Sequence, residues 1–177
     1  MRRAGTVGRP RQAAPFRERI VSMDVEGLFG SYDLPDIRLS GGDSRHANLA
    51  FLYGENGVGK TTILKIIYWM LSPESGKGHR TNIAAITFKS VSIKLASGHV
   101  VKAYREDRTD GPYLYSIEGP LVRAVCEVNI DSDGDVLDST SPELDAVTNQ
   151  LRFLDIDIIF VADSRDIKTT FELDRDA

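Results

Sequence analysis

Residues 54–62 read Gly-Glu-Asn-Gly-Val-Gly-Lys-Thr-Thr. The stretch fits the phosphate-binding loop pattern G-x-x-x-x-G-K-[ST], with Gly54, Gly59, Lys60 and Thr61 in the fixed positions. Its flanks fit too. Residues 49–53 are an apolar run that reads as a buried strand, and residues 63–71 follow with helical spacing. Strand, glycine loop and helix in that order are the arrangement that holds a nucleoside triphosphate. The competing reading is a glycine-rich turn that meets the pattern by chance, and the placement between strand and helix argues against it.

The chemistry follows from the residue types. Glycines reach backbone conformations that a Cβ forbids and let the chain approach a phosphate closely. The amides of Gly57, Val58, Gly59, Lys60 and Thr61 then form an anion nest. A helix starting near Lys60 adds the partial positive charge of its N-terminus, roughly half an elementary charge. Lys60, the candidate catalytic residue, supplies a mobile charge for the β- and γ-phosphates. The Thr61 hydroxyl is expected on Mg²⁺, which keeps several waters and takes few protein ligands. Thr62 is placed for the α-phosphate. Glu55 and Asn56 complete the nucleotide-binding set of residues 54–62. ATP and Mg²⁺ are the expected cofactors.

A chain of 177 residues is one domain or one lobe of a larger one, and its 41% hydrophobic content is enough for a core. No run of about 18 apolar residues exists, so no membrane span is expected. The one cysteine, Cys126, lies in a strand-like stretch, excludes an internal disulfide and reads as a buried thiol. A cytoplasmic location is expected. Charge is uneven. Of 22 basic and 26 acidic side chains, six arginines and one glutamate fall in residues 1–19. The remainder then holds 16 basic and 25 acidic side chains, which argues against a broad basic nucleic-acid surface. Residues 1–19, rich in Gly, Pro, Ala and Arg, read as a disordered tail. An arginine-rich start is also compatible with a transit peptide or a nucleic-acid arm.

Further along, residues 20–26 alternate as a half-buried strand does, 27–31 turn, and 37–39 form a short second strand. Gly41-Gly42-Asp43-Ser44 is a hairpin-type loop, and residues 48–53 feed the phosphate loop. Residues 72–78 read as a mobile connection. Residues 87–95 and 99–105 alternate around a hairpin at Ala96-Ser97-Gly98, with further strands at 113–118 and 122–130, so 87–130 reads as an antiparallel section. Ser141, Pro142 and Glu143 start a helix running to about Phe153. Residues 156–162 read as an apolar strand.

The match extends beyond the loop. A strand ends in Gly-Leu-Phe-Gly at residues 27–30, a second short strand follows, and then comes Leu-Tyr-Gly-Glu-Asn-Gly-Val-Gly-Lys-Thr-Thr-Ile-Leu-Lys-Ile-Ile. This resembles the N-terminal lobe of the ABC-type ATPases of the RecF and SMC kind, often grouped with the AAA-family ATPases. The resemblance is close over residues 20–72 and loose over 140–177. It implies an α/β fold with a P-loop NTPase core (central strand, Walker A loop, helix) and an antiparallel β subdomain at 87–130, all within a lobe at 20–177. It further implies ATP hydrolysis that drives a homodimer of heads and acts on DNA or an effector protein. The family's signature, its aspartate–glutamate pair and its histidine switch lie downstream of the loop. Here Leu39-Ser40-Gly41-Gly42 looks like the signature but precedes the loop and reads as a turn. No aspartate–glutamate pair follows an apolar run. The nearest acid is Asp163, a candidate magnesium partner through water; the alternative is a strand end that carries Asp. The chain is expected to be an incomplete head. Two other readings stand beside the ATPase: a non-catalytic ATP-binding switch, favoured by the missing glutamate, and a P-loop kinase, disfavoured by the antiparallel middle.

Smaller candidates read as structural. Phe29 and Tyr32 precede the loop, where an aromatic can stack on adenine, though core or hairpin packing is the commoner role for such residues. Arg38, Arg45 and His46 read as a solvated face. Asp131-Ser132-Asp133-Gly134-Asp135 suggests a calcium loop, but Val136 stands where the turn glycine belongs and Pro142 where the glutamate belongs. His46, His79 and His99 lack metal-ligand spacing.

Overall fold

The computed structural model describes residues 18–39, 52–55, 57, 59–74, 76–137, 141–154, 156 and 158–161. Among them the order is β1 (Ile20–Leu28), β2 (Tyr32–Arg38), α1 (Lys60–Leu71), α2 (His79–Ala84), β3 (Ser90–Leu95), β4 (Val100–Tyr104), β5 (Tyr113–Glu118), β6 (Arg123–Val128) and α3 (Pro142–Phe153). The six strands form one sheet in the order β2-β1-β3-β4-β5-β6, and every neighbouring pair is antiparallel. The molecule is thus mixed α/β. The antiparallel region does not begin at residue 87, because β1 pairs with β3 from Ile20 opposite Leu95 to Glu26 opposite Ser90.

Alternation places one face of this sheet in the core. Val91, Ile93 and Leu95 of β3, Val101 and Ala103 of β4, Tyr113, Tyr115 and Ile117 of β5, and Cys126 and Val128 of β6 are all buried. The Cys126 thiol is therefore a packed side chain, and burial pushes its pKa up to about 11. Helix α3 covers β5 and β6 with Leu144, Val147 and Leu151. Its Ser141 hydroxyl accepts a hydrogen bond from the Leu144 amide at 3.2 Å, Pro142 opens the first turn, and Glu143 and Asp145 lie in that turn.

Helix α1 buries Ile63, Ile66, Ile67, Met70 and Leu71, a stripe at i, i+3, i+4, i+7 and i+8. Twelve residues, several of them β-branched, make a marginal helix in isolation. Packing holds it, since each buried aliphatic side chain contributes roughly 1.5–3 kcal/mol. Polar ties fix its C-terminal end. The Tyr115 hydroxyl donates to the Met70 carbonyl, and Arg80 donates to the carbonyls of Trp69 and Ser72 while stacking 4.3 Å from the Tyr115 ring. Arg80 belongs to α2, a helix within the segment after residue 78 that the sequence left unassigned.

Two expected strands are not seen in the residues that are described. Leu52 and Tyr53 lie outside any strand, with Tyr53 90% exposed, and the rest of that run lies outside the described residues. Ile156 and residues 158–161 are likewise not strand, and Ile159 and Val161 are 86% and 85% exposed. Apolar content makes a strand possible, but a ladder requires a partner edge. Among the described residues the sheet's edges are β2 and β6, and neither pairs with the described part of these runs.

The connection between β4 and β5 is built around Arg105, which is only 4% exposed. Its guanidinium donates to the carbonyls of Ala84, Ile86, Phe88, Thr109, Gly111 and Pro112 and stacks 4.0 Å from the Phe88 ring. Burial without a carboxylate partner among the described residues lowers its pKa to about 10, so it stays charged at neutral pH. Arg105→Ala should destabilise the fold by about 3 kcal/mol or more, because it leaves a cluster of buried carbonyls unpaired. Arg105→Lys should fall between, since an ammonium has three donors rather than five. Urea unfolding of the three proteins measures this; an Arg105→Ala midpoint equal to the parent's would contradict it.

Candidate functional site

The phosphate-loop residues come together where β1 ends and α1 begins. Gly57 and Gly59 have φ of +89° and +90°, a region that side-chain-bearing residues rarely adopt. Gly59 is the N-cap of α1, and the first helical hydrogen bond runs from the Ile63 amide to the Gly59 carbonyl at 2.9 Å. The amides of Lys60, Thr61 and Thr62 precede that bond. Gly59, the N-cap, has no side chain to cap them, and no acid occupies the first turn. The contrast with α3, which carries a serine cap and two acids, shows what this end is suited to. Its first turn supplies no built-in anion for the amides and helix dipole.

The Lys60 ammonium folds back across the loop and donates to the carbonyls of Gly54 and Glu55, both at 2.7 Å. The loop is thereby braced by the charge that the sequence assigns to phosphate. Gly54, Glu55, Gly57 and Thr61 are exposed, and Gly59, Lys60 and Thr62 are half-buried. Asn56 and Val58 lie outside the described residues, as does Asp163, so the second expected magnesium partner has no described position. Residues 40–42 of the signature-like stretch also lie outside them. The described residues fit a magnesium–triphosphate group: open glycine backbone, uncapped amides, one flexible ammonium and one exposed hydroxyl. Among them, no group of three His, Cys, Asp or Glu could hold a metal ion by itself. The calcium-like turn is explained internally, since Asp131 Oδ1 accepts hydrogen bonds from the amides of Asp133 and Asp135 at 2.9 and 3.0 Å.

The loop is seated on β1. A Cβ added to Gly59 would stand 2.9 Å from Phe29 Cε2 and 3.3 Å from Leu28 Cδ2. Phe29 itself has φ of +53°, with its amide donating to the Thr87 carbonyl at 2.8 Å. An aromatic in the left-handed region costs roughly 1–2 kcal/mol, and such strain concentrates at functional positions. The Phe29 ring is 44% exposed and meets Tyr32, 48% exposed, edge-on at 6.5 Å. Sequence order placed both aromatics before the loop; the contact with Gly59 is what brings Phe29 to it.

A family model described as AAA domain matches residues 28–172, most of the chain and all of the loop. No curated protein matches the chain. No helix among the described residues is long and apolar enough to cross a membrane.

Gly59→Ala should lose loop geometry for two separable reasons, a contact with Phe29 and a forbidden φ. We expect destabilisation of at least ~1 kcal/mol in thermal unfolding. Adding Phe29→Ala should relieve the contact but not the backbone strain, so the double variant should stay below the Phe29→Ala protein. Equal stability of Phe29→Ala and the double variant would show that φ at residue 59 is not constrained.

Proposed function

We propose that this chain, which belongs to the AAA domain family, binds Mg²⁺-ATP in the loop at residues 54–62. The family is one of nucleotide-binding ATPases. One observation carries the assignment to these residues: two glycines at φ near +90° lead straight into an uncapped helix, with Lys60 already folded over the loop. Lys60 is the residue for the β- and γ-phosphates. The amides of Gly57, Val58, Gly59, Lys60 and Thr61 line the anion nest, and Thr62 serves the α-phosphate. Thr61 is the magnesium ligand and Asp163 its partner through water. Phe29, strained and half-exposed beside Gly59, is the adenine platform, with Tyr32 at its edge. Bound magnesium would neutralise charge on the β- and γ-oxygens during phosphoryl transfer.

The RecF and SMC resemblance extends the proposal. In the assembled protein, ATP closes a homodimer of heads, and its hydrolysis drives action on DNA or an effector protein. The domain division follows the same reading: an arginine-rich tail at 1–19 and an ATPase N-terminal lobe at 20–177. A second reading, a switch that binds ATP without cleaving it, is favoured by a sequence in which no aspartate–glutamate pair follows an apolar run after the loop.

Lys60→Ala should weaken ATP binding at least about 100-fold, roughly 3 kcal/mol, since the loop loses its one cationic side chain. Thr61→Ala should reduce the gain in affinity that Mg²⁺ confers. Calorimetric titration with ATP, with and without Mg²⁺, reads both. Unchanged affinity in Lys60→Ala would refute the site. Steady ATP turnover by the parent chain would exclude the switch.

A further inference from the structure

His79, the first residue of α2, is 7% exposed, and both of its ring nitrogens are shut off from solvent without a hydrogen-bond partner. Buried polar atoms nearly always have one. Charged and titratable groups face the ring from several elements. The Tyr68 ring of α1 meets it edge-on at 5.0 Å, and Glu74 Oε2 lies 3.8 Å from Nε2, beyond hydrogen-bond distance. Arg80 and Lys77 stand near enough to repel a charge on the ring, and Asp135 and Asp145 line the cleft beside it. Burial is the largest influence and depresses the His79 pKa below its ordinary value. Arg80 and Lys77 add to this, and Glu74 opposes it without prevailing. The packed imidazole is therefore neutral at physiological pH.

The helix that carries His79 is weakly held at this end. It has six residues and Gly78 as an N-cap without a side chain, and Gly76 and Gly78 lead into it at φ of +75° and +69°. Its other end is fixed: Ile83 and Ala84 are buried, and the Ala84 carbonyl accepts from Arg105 at 3.0 Å. Arg80 lies between the two ends. Its guanidinium donates to the carbonyls of Trp69 and Ser72 and stacks on the Tyr115 ring. A cleft of about 200 Å³ opens between α2, α3 and the turn at residues 131–136, with the exposed Glu74, Asp135 and Asp145 on its wall. A charged ring thus has no partner where it is packed, and carboxylates and water one short movement away.

We propose that the first turn of α2 is a proton-driven latch on the C-terminal end of α1. With His79 uncharged, the ring packs against Tyr68 and Arg80 holds the carbonyls of Trp69 and Ser72. Once protonated, the ring swings out, hinging at residues 76–78, and meets the carboxylates of the cleft. Arg80, next in sequence, is drawn off the two carbonyls. The driving force is the cost of a buried imidazolium without an acceptor, which the open turn removes. The closed turn binds the proton less well than the open one. Closure is therefore fully favoured above pH about 6.5, where an exposed histidine is neutral. It weakens progressively as pH falls from there toward the depressed pKa of the packed ring. The helix so released is the one that begins at Lys60.

The chain's one tryptophan, Trp69, reports the latch, because its carbonyl is one of the two that Arg80 releases. The test follows Trp69 fluorescence, the NMR titration of the His79 ring, and hydrogen exchange at the Asn82 amide, which bonds to the Gly78 carbonyl in the first turn. Between pH 7.5 and 5.5 the Asn82 protection factor should fall at least about threefold, with Trp69 emission changing in step. His79→Phe, whose ring cannot ionise, should abolish both responses. Glu74→Gln, at an exposed position that does not threaten folding, removes attraction for the proton and should move both responses to lower pH. Responses that persist in His79→Phe, or that do not move in Glu74→Gln, would overturn the proposal. So would a His79 ring that titrates as an exposed histidine does, or an Asn82 amide indifferent to its titration.

Discussion

The close approach of Gly59 to Leu28 and Phe29 is the constraint on which the site depends. A phosphate loop works only if its amides are held in a fixed array, because the binding energy comes from donors that need not reorganise. Here the array is fixed from one side by β1, whose last residue and following aromatic leave no room for a Cβ at position 59. From the other side it is fixed by α1, which begins at the next residue. The Lys60 ammonium on the carbonyls of Gly54 and Glu55 closes the span between them. Glycine at 59 thus serves two needs at once, a left-handed backbone and contact with the sheet.

The rest of the fold transmits that placement. Helix α1 rests its apolar stripe on the core and is gripped at its far end by Tyr115 of β5 and Arg80 of α2. Tyr113, on the same strand, donates to the Arg80 carbonyl at 3.2 Å. Arg105 then secures the loops next to those strands by gathering six carbonyls around one buried cation. The sheet is therefore more than an appendage. It supplies the seat for the loop through β1 and the anchor for the helix through β5.

Local signals in the sequence were strong where one short stretch decides the outcome. The glycine pattern, the apolar stripe of α1, and Ser141 with Pro142 at the start of α3 each specify structure within a turn or two. Signals failed where pairing is remote or the element is short. That β1 joins β3 depends on residues about 70 positions apart, Ile20 and Leu95 among them, and alternation alone does not name a partner. Helix α2 has six residues, too few to show a period, and begins after Gly78 at φ +69°. Strand β2 runs from Tyr32, longer than its sequence suggests, because Pro35 and Asp36, the latter at φ +49°, interrupt the alternation. Backbone bonds to Asp24 and Asp33 hold that irregular edge, with the amides of Asp36 and Gly27 donating at 3.0 and 2.8 Å. The roles of Arg105 and His79 were not readable at all, since burial of a polar side chain is a property of the assembled fold.

The central claim is that residues 54–62 are a Mg²⁺-ATP site organised by backbone amides. Amide chemical-shift mapping during a titration with Mg²⁺-ATP tests it most directly. The account predicts saturable shifts concentrated at Gly57, Gly59, Lys60, Thr61 and Thr62, with a smaller response at Phe29. Shifts that fail to saturate, or that centre on another surface and leave the loop unmoved, would contradict it.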